Sequence, residues 1–185
     1  MLQLCSGPGG FSFLSCWISP WYWQIFSNMA LKMKEPGNFQ RKLLQLVQAD
    51  GSLSLADLAE RVGMSQSSAW RKIQELESDG VIRKRVTLLD PGKLDLKLCV
   101  IAHVTLEDHH EEAVASFASV VMERPEIMEC YALSGAFDYM LKIRARDVES
   151  YEAFMTRYLM RNPHVRTVVS SFVLRELKFS TELPI

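Results

Sequence analysis

Residues 53–77 contain the feature that most constrains the fold: two short helical patterns separated by one glycine-containing turn. In each pattern, apolar residues recur at the three- and four-residue spacing of a single helix face. These residues are Leu55, Leu58, Ala59 and Val62 in the first pattern, and Ala69, Ile73 and Leu76 in the second. Gly63 lies between the patterns and suits the left-handed conformation that commonly ends a helix. Two helices joined in this way predict a helix-turn-helix, whose second helix enters the major groove of DNA.

Signals at the helix ends agree with this prediction. Ser54 is expected to cap the first helix of the pair, with Asp57 three residues on in a variant capping box. Ser65 is expected to cap the second helix, and Gly80 to close it. An earlier helix is predicted from an apolar stripe that stops at "ADG", residues 49–51. That stripe consists of Phe39, Leu43, Leu44, Leu46 and Val47.

The outer face of the last of these helices is polar and basic. Short side chains at its start would let the helix lie deep in the groove, where Gln and Arg read bases and Lys holds a phosphate. A basic cluster follows in "VIRKRVTLLD", which is expected to form a wing or hinge strand near the DNA backbone. The predicted DNA contacts are Ser65, Gln66, Ser67, Ser68, Trp70, Arg71, Lys72, Arg83, Lys84 and Arg85.

Each of these assignments has a simpler alternative. Arg71 would also suit an ion pair with Glu75 one helical turn on, and Trp70 would also suit a partly buried packing position. Net charge does not decide the matter. Residues 29–90 carry 10 basic and 8 acidic side chains (+2), and residues 91–185 carry 11 basic and 14 acidic (−3). Any contact with DNA must therefore come from a local patch.

The second half of the chain alternates strand and helix patterns in the order βαββαβ. This order predicts an α+β fold in which a ferredoxin-like sandwich follows the winged helix-turn-helix, with both helices on one face of the sheet. Several strand patterns are apolar on both sides, so the uncovered face is expected to be a large hydrophobic patch. A dimer formed through these sheets would match the two-fold sites that helix-turn-helix proteins read.

One loop of this half stands out, "SGAFDY" at residues 134–139. Gly135 permits an unusual backbone turn, and Asp138 places a carboxylate beside exposed amides. Such a loop suits a zwitterion, with the amides meeting its carboxylate and Asp138 meeting its ammonium group. A plain hairpin turn, in which Asp138 bonds its own backbone, explains the same residues.

Residues 38–185 resemble the leucine-responsive regulatory protein/AsnC family of transcription regulators. The similarity covers "LSLADLAERVGMSQSSAWRKIQELESDGVI", "VTLLDP", "MECYALSGAFDYMLKIRARD" and "VRTVVSSFVLRELK". It implies a winged helix-turn-helix, a hinge strand and a ferredoxin-like effector domain of the RAM type that forms dimers and commonly octamers or other higher forms. It also implies an amino-acid effector, with no other cofactor and no metal. The implied effector residues are Ser134, Gly135, Phe137, Asp138 and, on the last strand, Ser170.

The resemblance divides the chain into four parts. These are residues 1–33 as a leader, 34–85 as the DNA-binding domain, 86–96 as hinge strand and linker, and 97–185 as the effector and oligomerisation domain. Two family features differ here, since the opening "EPGNFQRKLL" lacks the usual acidic residues and the leader has no counterpart. The first 28 residues carry no charge and lack a signal peptide's basic region. They are expected to be an over-extended reading frame that precedes Met29 or Met33, with a membrane anchor or partner-binding segment as alternatives.

Other functions fit the sequence less well. An enzyme, or an amino-acid-binding regulatory subunit of one, remains an alternative, but we find no phosphate-binding loop, nucleophile elbow or paired metal ligands. "HHEE" at residues 109–112 is interpreted as a solvated helix start, because only His109 and Glu112 would share a helical face. RNA binding lacks the aromatic third strand that it needs. The expected protein is a cytoplasmic regulator that binds a pseudo-palindromic DNA site and does not contact a membrane. Cys99 and Cys130 are expected to be reduced. The nearest alternative is a DNA-binding protein without an effector.

Overall fold

The computed structural model describes residues 37–185, so the predicted leader lies outside the described residues. The chain divides into two compact units, with the boundary between Lys72 and Ile73 and with the last residue, Ile185, assigned to the first unit. Within residues 37–185, no helix is both long enough and apolar enough to cross a membrane.

Three helices form the first part of the described chain: α1 (Asn38–Ala49), α2 (Leu55–Val62) and α3 (Gln66–Ser78). The helix ends follow the sequence signals. The Ser54 hydroxyl accepts a hydrogen bond from the Asp57 backbone N–H, and Gly63 ends α2 in the left-handed conformation at φ 77°. The buried side chains of α2 and α3 confirm their predicted inner faces; they are Leu58, Ala59, Val62, Ala69, Ile73 and Leu76. In α1, Leu43 of the predicted stripe is buried.

The second unit contains a four-stranded antiparallel sheet with two helices, in the predicted order βαββαβ. Its elements are β1 (Leu98–Leu106), α4 (Glu111–Glu123), β2 (Ile127–Ala132), β3 (Tyr139–Ala145), α5 (Val148–Phe154), which continues as a π-helical turn at Met155–Leu159, and β4 (Val165–Phe172). The strands lie in the spatial order β2-β3-β1-β4.

One face of this sheet packs against α4 and α5. Because directly opposed residues of paired strands point to the same face, Val100 and Ile143, and likewise Ala102 and Leu141, enter the core together. Phe117 from α4 and Phe154 from α5 complete it. The Asp147 carboxylate accepts a hydrogen bond from Ser150 N–H, which caps α5. Hydrogen bonds from the Ser150 side chain and backbone lower the pKa of Asp147.

One residue of the predicted α1 stripe and one apolar residue at the start of α5 are exposed instead. Phe39 is 65% and Val148 is 52% solvent-accessible. Both lie in the first turn of a helix, where the apolar stripe begins before the helix reaches its packing surface. Helical spacing identifies a face but does not show how far along the helix that face is covered.

The predicted wing or hinge strand is also absent from the described chain. Residues 81–97 contain neither helix nor strand, and Val86, Leu88 and Leu89 are exposed. A strand exists only where a partner accepts and donates its backbone hydrogen bonds, and no described segment pairs with this one. The alternating pattern was therefore insufficient to form a strand in the single chain.

The open face of the sheet is less apolar than predicted. Lys142 donates to Glu129 at 2.9 Å, and Arg144 pairs with Glu176 at 3.3 Å. The ring of Phe179, from the segment after β4, lies 5.6 Å from the Lys142 ammonium. Strand alternation places charged side chains of β3 on this face, so they interrupt the large hydrophobic patch that was expected there.

Candidate functional site

The amino-terminal turn of α3 presents the residues predicted to contact DNA. Gln66, Ser67, Trp70 and Arg71 are exposed, and Trp70 is 56% accessible, so the alternative of a packing tryptophan is not favoured. Within residues 37–185, neither Gln66 nor Arg71 makes a side-chain hydrogen bond or ion pair, so Arg71 does not pair with Glu75. Both functional groups are therefore available to a ligand.

Three serine hydroxyls form local hydrogen bonds at the start of the same helix. The Ser65 hydroxyl accepts from the Ser68 backbone N–H at 3.3 Å, which makes it the predicted cap. It also lies 2.9 Å from the Ser68 hydroxyl and 3.1 Å from that of Ser67. A short, self-bonded polar cap lets the helix end approach a surface closely, and the positive end of the helix dipole favours a phosphate there.

The basic residues after α3, Arg83 to Arg85, differ in their contacts. Arg85 pairs with Glu77 at 3.2 Å, which ties the segment back to α3. Arg83 and Lys84 are exposed and make no such contact among the described residues. The segment is held at its start by the bond from Ile82 N–H to the Leu76 carbonyl. Arg83 and Lys84 are the cations of the cluster that remain free for an anionic partner.

The loop 134–138 joins β2 to β3. It is closed by a backbone hydrogen bond from Leu133 N–H to the Asp138 carbonyl at 2.8 Å. Gly135 has φ 151°, a value that side-chain-bearing residues rarely adopt. Ser134 and Gly135 are exposed, so the loop presents open backbone to solvent, as the zwitterion hypothesis requires.

The Asp138 carboxylate is held between two donors. One oxygen accepts from Leu106 N–H at 2.8 Å, and the other lies 2.8 Å from His109 Nε2. The backbone N–H of Asp138 donates to the Val104 carbonyl at 3.0 Å. The first of these bonds is at the end of β1, where the pairing with β4 shifts register. Asp138 therefore fixes the end of a strand as well as its own turn.

The remaining two predicted effector residues lie on opposite faces of the sheet. Phe137 packs on the His103 ring, with ring centroids 4.8 Å apart, and His103 alternates with the buried core residues of β1. Ser170 is paired with the core residue Ala102, and its hydroxyl bonds the Tyr151 hydroxyl under α5. Burial raises the pKa of Tyr151, while the bond to Ser170 lowers it. A single chain does not bring Ser170 together with the loop.

Three participants were not predicted: Leu106 and His109, which bind Asp138, and Tyr151, which binds Ser170. His109 had a visible signal in "HHEE", but α4 begins only at Glu111, with His110 at its cap position. His109 therefore precedes the helix and does not share a face with Glu112. In the part of the chain that the structure describes, no three His, Cys, Asp or Glu side chains converge as a metal-binding group.

A helix-turn-helix over α2 and α3, followed by an α+β sandwich with an open loop, defines a class: the DNA-binding transcription regulators. Comparison with known proteins identifies the class further. Residues 38–83 match the winged helix-turn-helix DNA-binding family model, and residues 99–183 match the Lrp/AsnC ligand binding domain. The chain belongs to the Lrp/AsnC family of transcription regulators.

Individual relatives agree over most of the chain. It is 37% identical to the glutamate uptake regulatory protein of Zymomonas mobilis, over 80% of this chain and 90% of that protein. It is 36% identical to the DNA-binding transcriptional activator DecR of Escherichia coli, over 78% and 95% respectively. A crystal structure of a transcriptional regulator from Neisseria meningitidis in complex with L-methionine superposes with TM-score 0.77 and 34% identity, over 80% of this chain and 96% of that one.

Proposed function

We propose that this protein binds a specific, pseudo-palindromic double-stranded DNA site and that an amino acid bound between effector domains of neighbouring copies modulates that binding. The proposal makes it a cytoplasmic regulator rather than an enzyme. The observation that carries it is the exposed polar face at the start of α3, where Gln66 and Arg71 have no competing contact in the described chain.

The proposed mode of DNA reading follows from side-chain chemistry. Arg71 is suited to a bidentate contact with guanine, and Gln66 to one with adenine. Lys72, together with Arg83 and Lys84, is suited to phosphates, which position the protein without reading sequence. Two copies related by a two-fold axis would place their α3 helices in successive major grooves, about 34 Å apart. Such an arrangement requires the palindromic site.

The proposed effector is an amino acid. The related Neisseria regulator was crystallised with L-methionine, and the 134–138 loop offers backbone amides beside the Asp138 carboxylate. Ser170 lies on the other face of its own sheet, so one chain does not place all five predicted residues in a single site. A site shared between copies, within a dimer or a higher assembly such as an octamer, would reconcile this separation with a common ligand.

A regulator without a small-molecule effector is the second candidate. One observation favours it: the Asp138 carboxylate is already bonded to Leu106 and His109, as a purely structural turn residue would be. An amino-acid-binding subunit of an enzyme would instead leave the exposed face of α3 unused.

The test uses the full chain. Light scattering gives its oligomeric state, selection from random duplexes followed by a binding titration gives its DNA site, and a thermal-shift screen of the twenty amino acids gives its effector. Stabilisation by an amino acid at tens of Kd in excess, with changed DNA affinity, would support the whole proposal. Sequence-selective binding without any amino-acid effect would support the second candidate, and an absence of DNA selectivity would refute both.

A further inference from the structure

His109 is joined to the proposed effector loop from outside it. Its Nε2 lies 2.8 Å from an Asp138 carboxylate oxygen, although the two residues are 29 positions apart in sequence. The His109 side chain is 69% exposed, whereas that of Asp138 is only 22% exposed. An exposed side chain therefore contacts a carboxylate that is itself only partly exposed.

We propose that His109 is a displaceable internal ligand: it occupies the Asp138 carboxylate in the empty protein, and the ammonium group of an amino-acid effector takes its place. This inference rests on the proposed effector function. It assigns to His109 the role of setting the effector concentration at which the protein responds.

The two donors on Asp138 differ in how easily they leave. Leu106 donates from the backbone of a strand, and the residue is 1% exposed, so its release would disrupt the end of β1. Within residues 37–185, the His109 side chain is held by one contact, and it needs only a rotation about its side-chain bonds to leave. An incoming ammonium group therefore displaces His109 and leaves the bond to Leu106 in place.

The backbone on both sides of His109 is anchored. Glu107 N–H donates to the His164 carbonyl at 2.8 Å, and the Asp108 carboxylate accepts from His110 N–H at 3.0 Å. The side chain can consequently swing out without moving β1 or α4. The exchange replaces one N–H donor on the Asp138 carboxylate by another. The free energy needed to release His109 is subtracted from the affinity for the effector.

The experiment compares three variants of the full chain. His109→Ala removes the internal ligand, His109→Lys supplies a permanently charged one of similar reach, and His110→Ala is the matched control, because the His110 side chain makes no capping bond. The affinity is measured by calorimetric titration with L-methionine and with each other L-amino acid that stabilises any of the four proteins in a thermal-shift screen.

We expect His109→Ala to bind the amino acid about two- to fivefold more tightly, the range of an exposed pair. His109→Lys should bind it more weakly than wild type, and His110→Ala should match wild type. If His109→Ala bound an amino acid that the wild type did not bind detectably, this result would also support the inference. A structural role for His109 would give the opposite direction, since loosening the loop weakens binding.

The failures are distinguishable. If wild type binds an amino acid and His109→Ala binds it equally or less tightly, the displacement by ammonium is refuted and the proposed effector function stands. If neither protein binds any of the twenty, the effector function itself is refuted, and the inference with it.

Discussion

The Asp138 carboxylate accepts a hydrogen bond from the backbone N–H of Leu106, at 2.8 Å, across 32 positions of sequence. Leu106 is buried, so without this bond its N–H would lack a partner. The residue that the family resemblance assigns to effector binding thus also supports the fold. Effects of substituting Asp138 on binding and on stability must be separated by the choice of replacement.

We expect Asp138→Ala to lower the free energy of unfolding by about 1–3 kcal/mol, the cost of an unsatisfied buried donor. Asp138→Asn keeps an acceptor for Leu106 N–H, so it should lower the free energy of unfolding less than Asp138→Ala does. It also removes the negative charge that would bind an ammonium group. Urea denaturation measures the first effect and a thermal-shift assay with amino acids the second. An amino-acid response that survives in Asp138→Asn would contradict the role of the Asp138 charge in effector binding.

Arg71→Ala should relax base preference. If the guanidinium contacts a guanine in bidentate fashion, its loss removes about 1–3 kcal/mol of discrimination at one position of the site. Binding titrations with the selected duplex and with single-base variants measure this change. Arg161 is also exposed but belongs to the second unit, so Arg161→Ala is the control. An equal loss of affinity on all duplexes would show that Arg71 contacts only phosphate.

Lys72→Ala should weaken binding evenly on all sequences. Each phosphate contact releases about one counterion from B-DNA, so the slope of log K against log salt concentration should fall in magnitude by about 0.9. The same titrations at several salt concentrations provide this slope. An unchanged slope in Lys72→Ala would remove Lys72 from the phosphate contacts.

The Ser170 and Tyr151 hydroxyls form a pair beneath α5, and their substitutions should be coupled. Ser170→Ala removes the hydrogen-bond partner of a tyrosine hydroxyl whose residue is 2% exposed, at a cost of about 1 kcal/mol. Tyr151→Phe in the Ser170→Ala background should cost less than Tyr151→Phe alone, because the bond is already lost. Urea denaturation of the four proteins gives this cycle. Ser171→Ala is the control, because Ser171 is the next residue and is exposed; it should change stability by less than about 0.5 kcal/mol. If the effects of Ser170→Ala and Tyr151→Phe were strictly additive, the two hydroxyls would not be coupled.

The sequence predicted local features of the fold better than long-range ones. The caps at Ser54 and Ser65 and the left-handed Gly63 depend on residues within three or four positions, and all three are confirmed. The bond between His109 and Asp138 depends on how β1 and β3 align, and the hydrophobic periodicity of the sequence does not determine that alignment. Likewise, alternation in residues 81–90 indicated a strand, but a strand also needs a partner. The effector residues were assigned by resemblance and stay a prediction. The placement of Phe137 and Ser170 on two faces of the sheet became visible only in the structure.

The pair formed by Glu129 and Lys142 predicts a pH dependence of stability. The hydrogen bond from Lys142, at 2.9 Å, lowers the pKa of Glu129, and the same bond raises the pKa of Lys142. A lowered carboxyl pKa contributes stability above the unfolded value of about 4.3, and this is lost as pH falls through the folded pKa. A raised lysine pKa contributes stability below about 10.4 and loses it as pH rises through the folded pKa. The pair should therefore contribute fully between about pH 5 and pH 10.

Glu129→Gln should lower the free energy of unfolding by about 0.2–1 kcal/mol at pH 7, because the pair is partly exposed and screened by salt. The difference from wild type should shrink as pH falls below the unfolded value of about 4.3 and through the lowered folded pKa of Glu129. Denaturant titrations at pH 7, 5 and 3.5 measure it. Asp95→Asn is the control, since Asp95 and Lys97 lie 3.8 Å apart with side chains 73% and 71% exposed, and should show no measurable difference. If the difference in free energy of unfolding between wild type and Glu129→Gln stayed constant from pH 7 to pH 3.5, the effect would come from packing and not from charge.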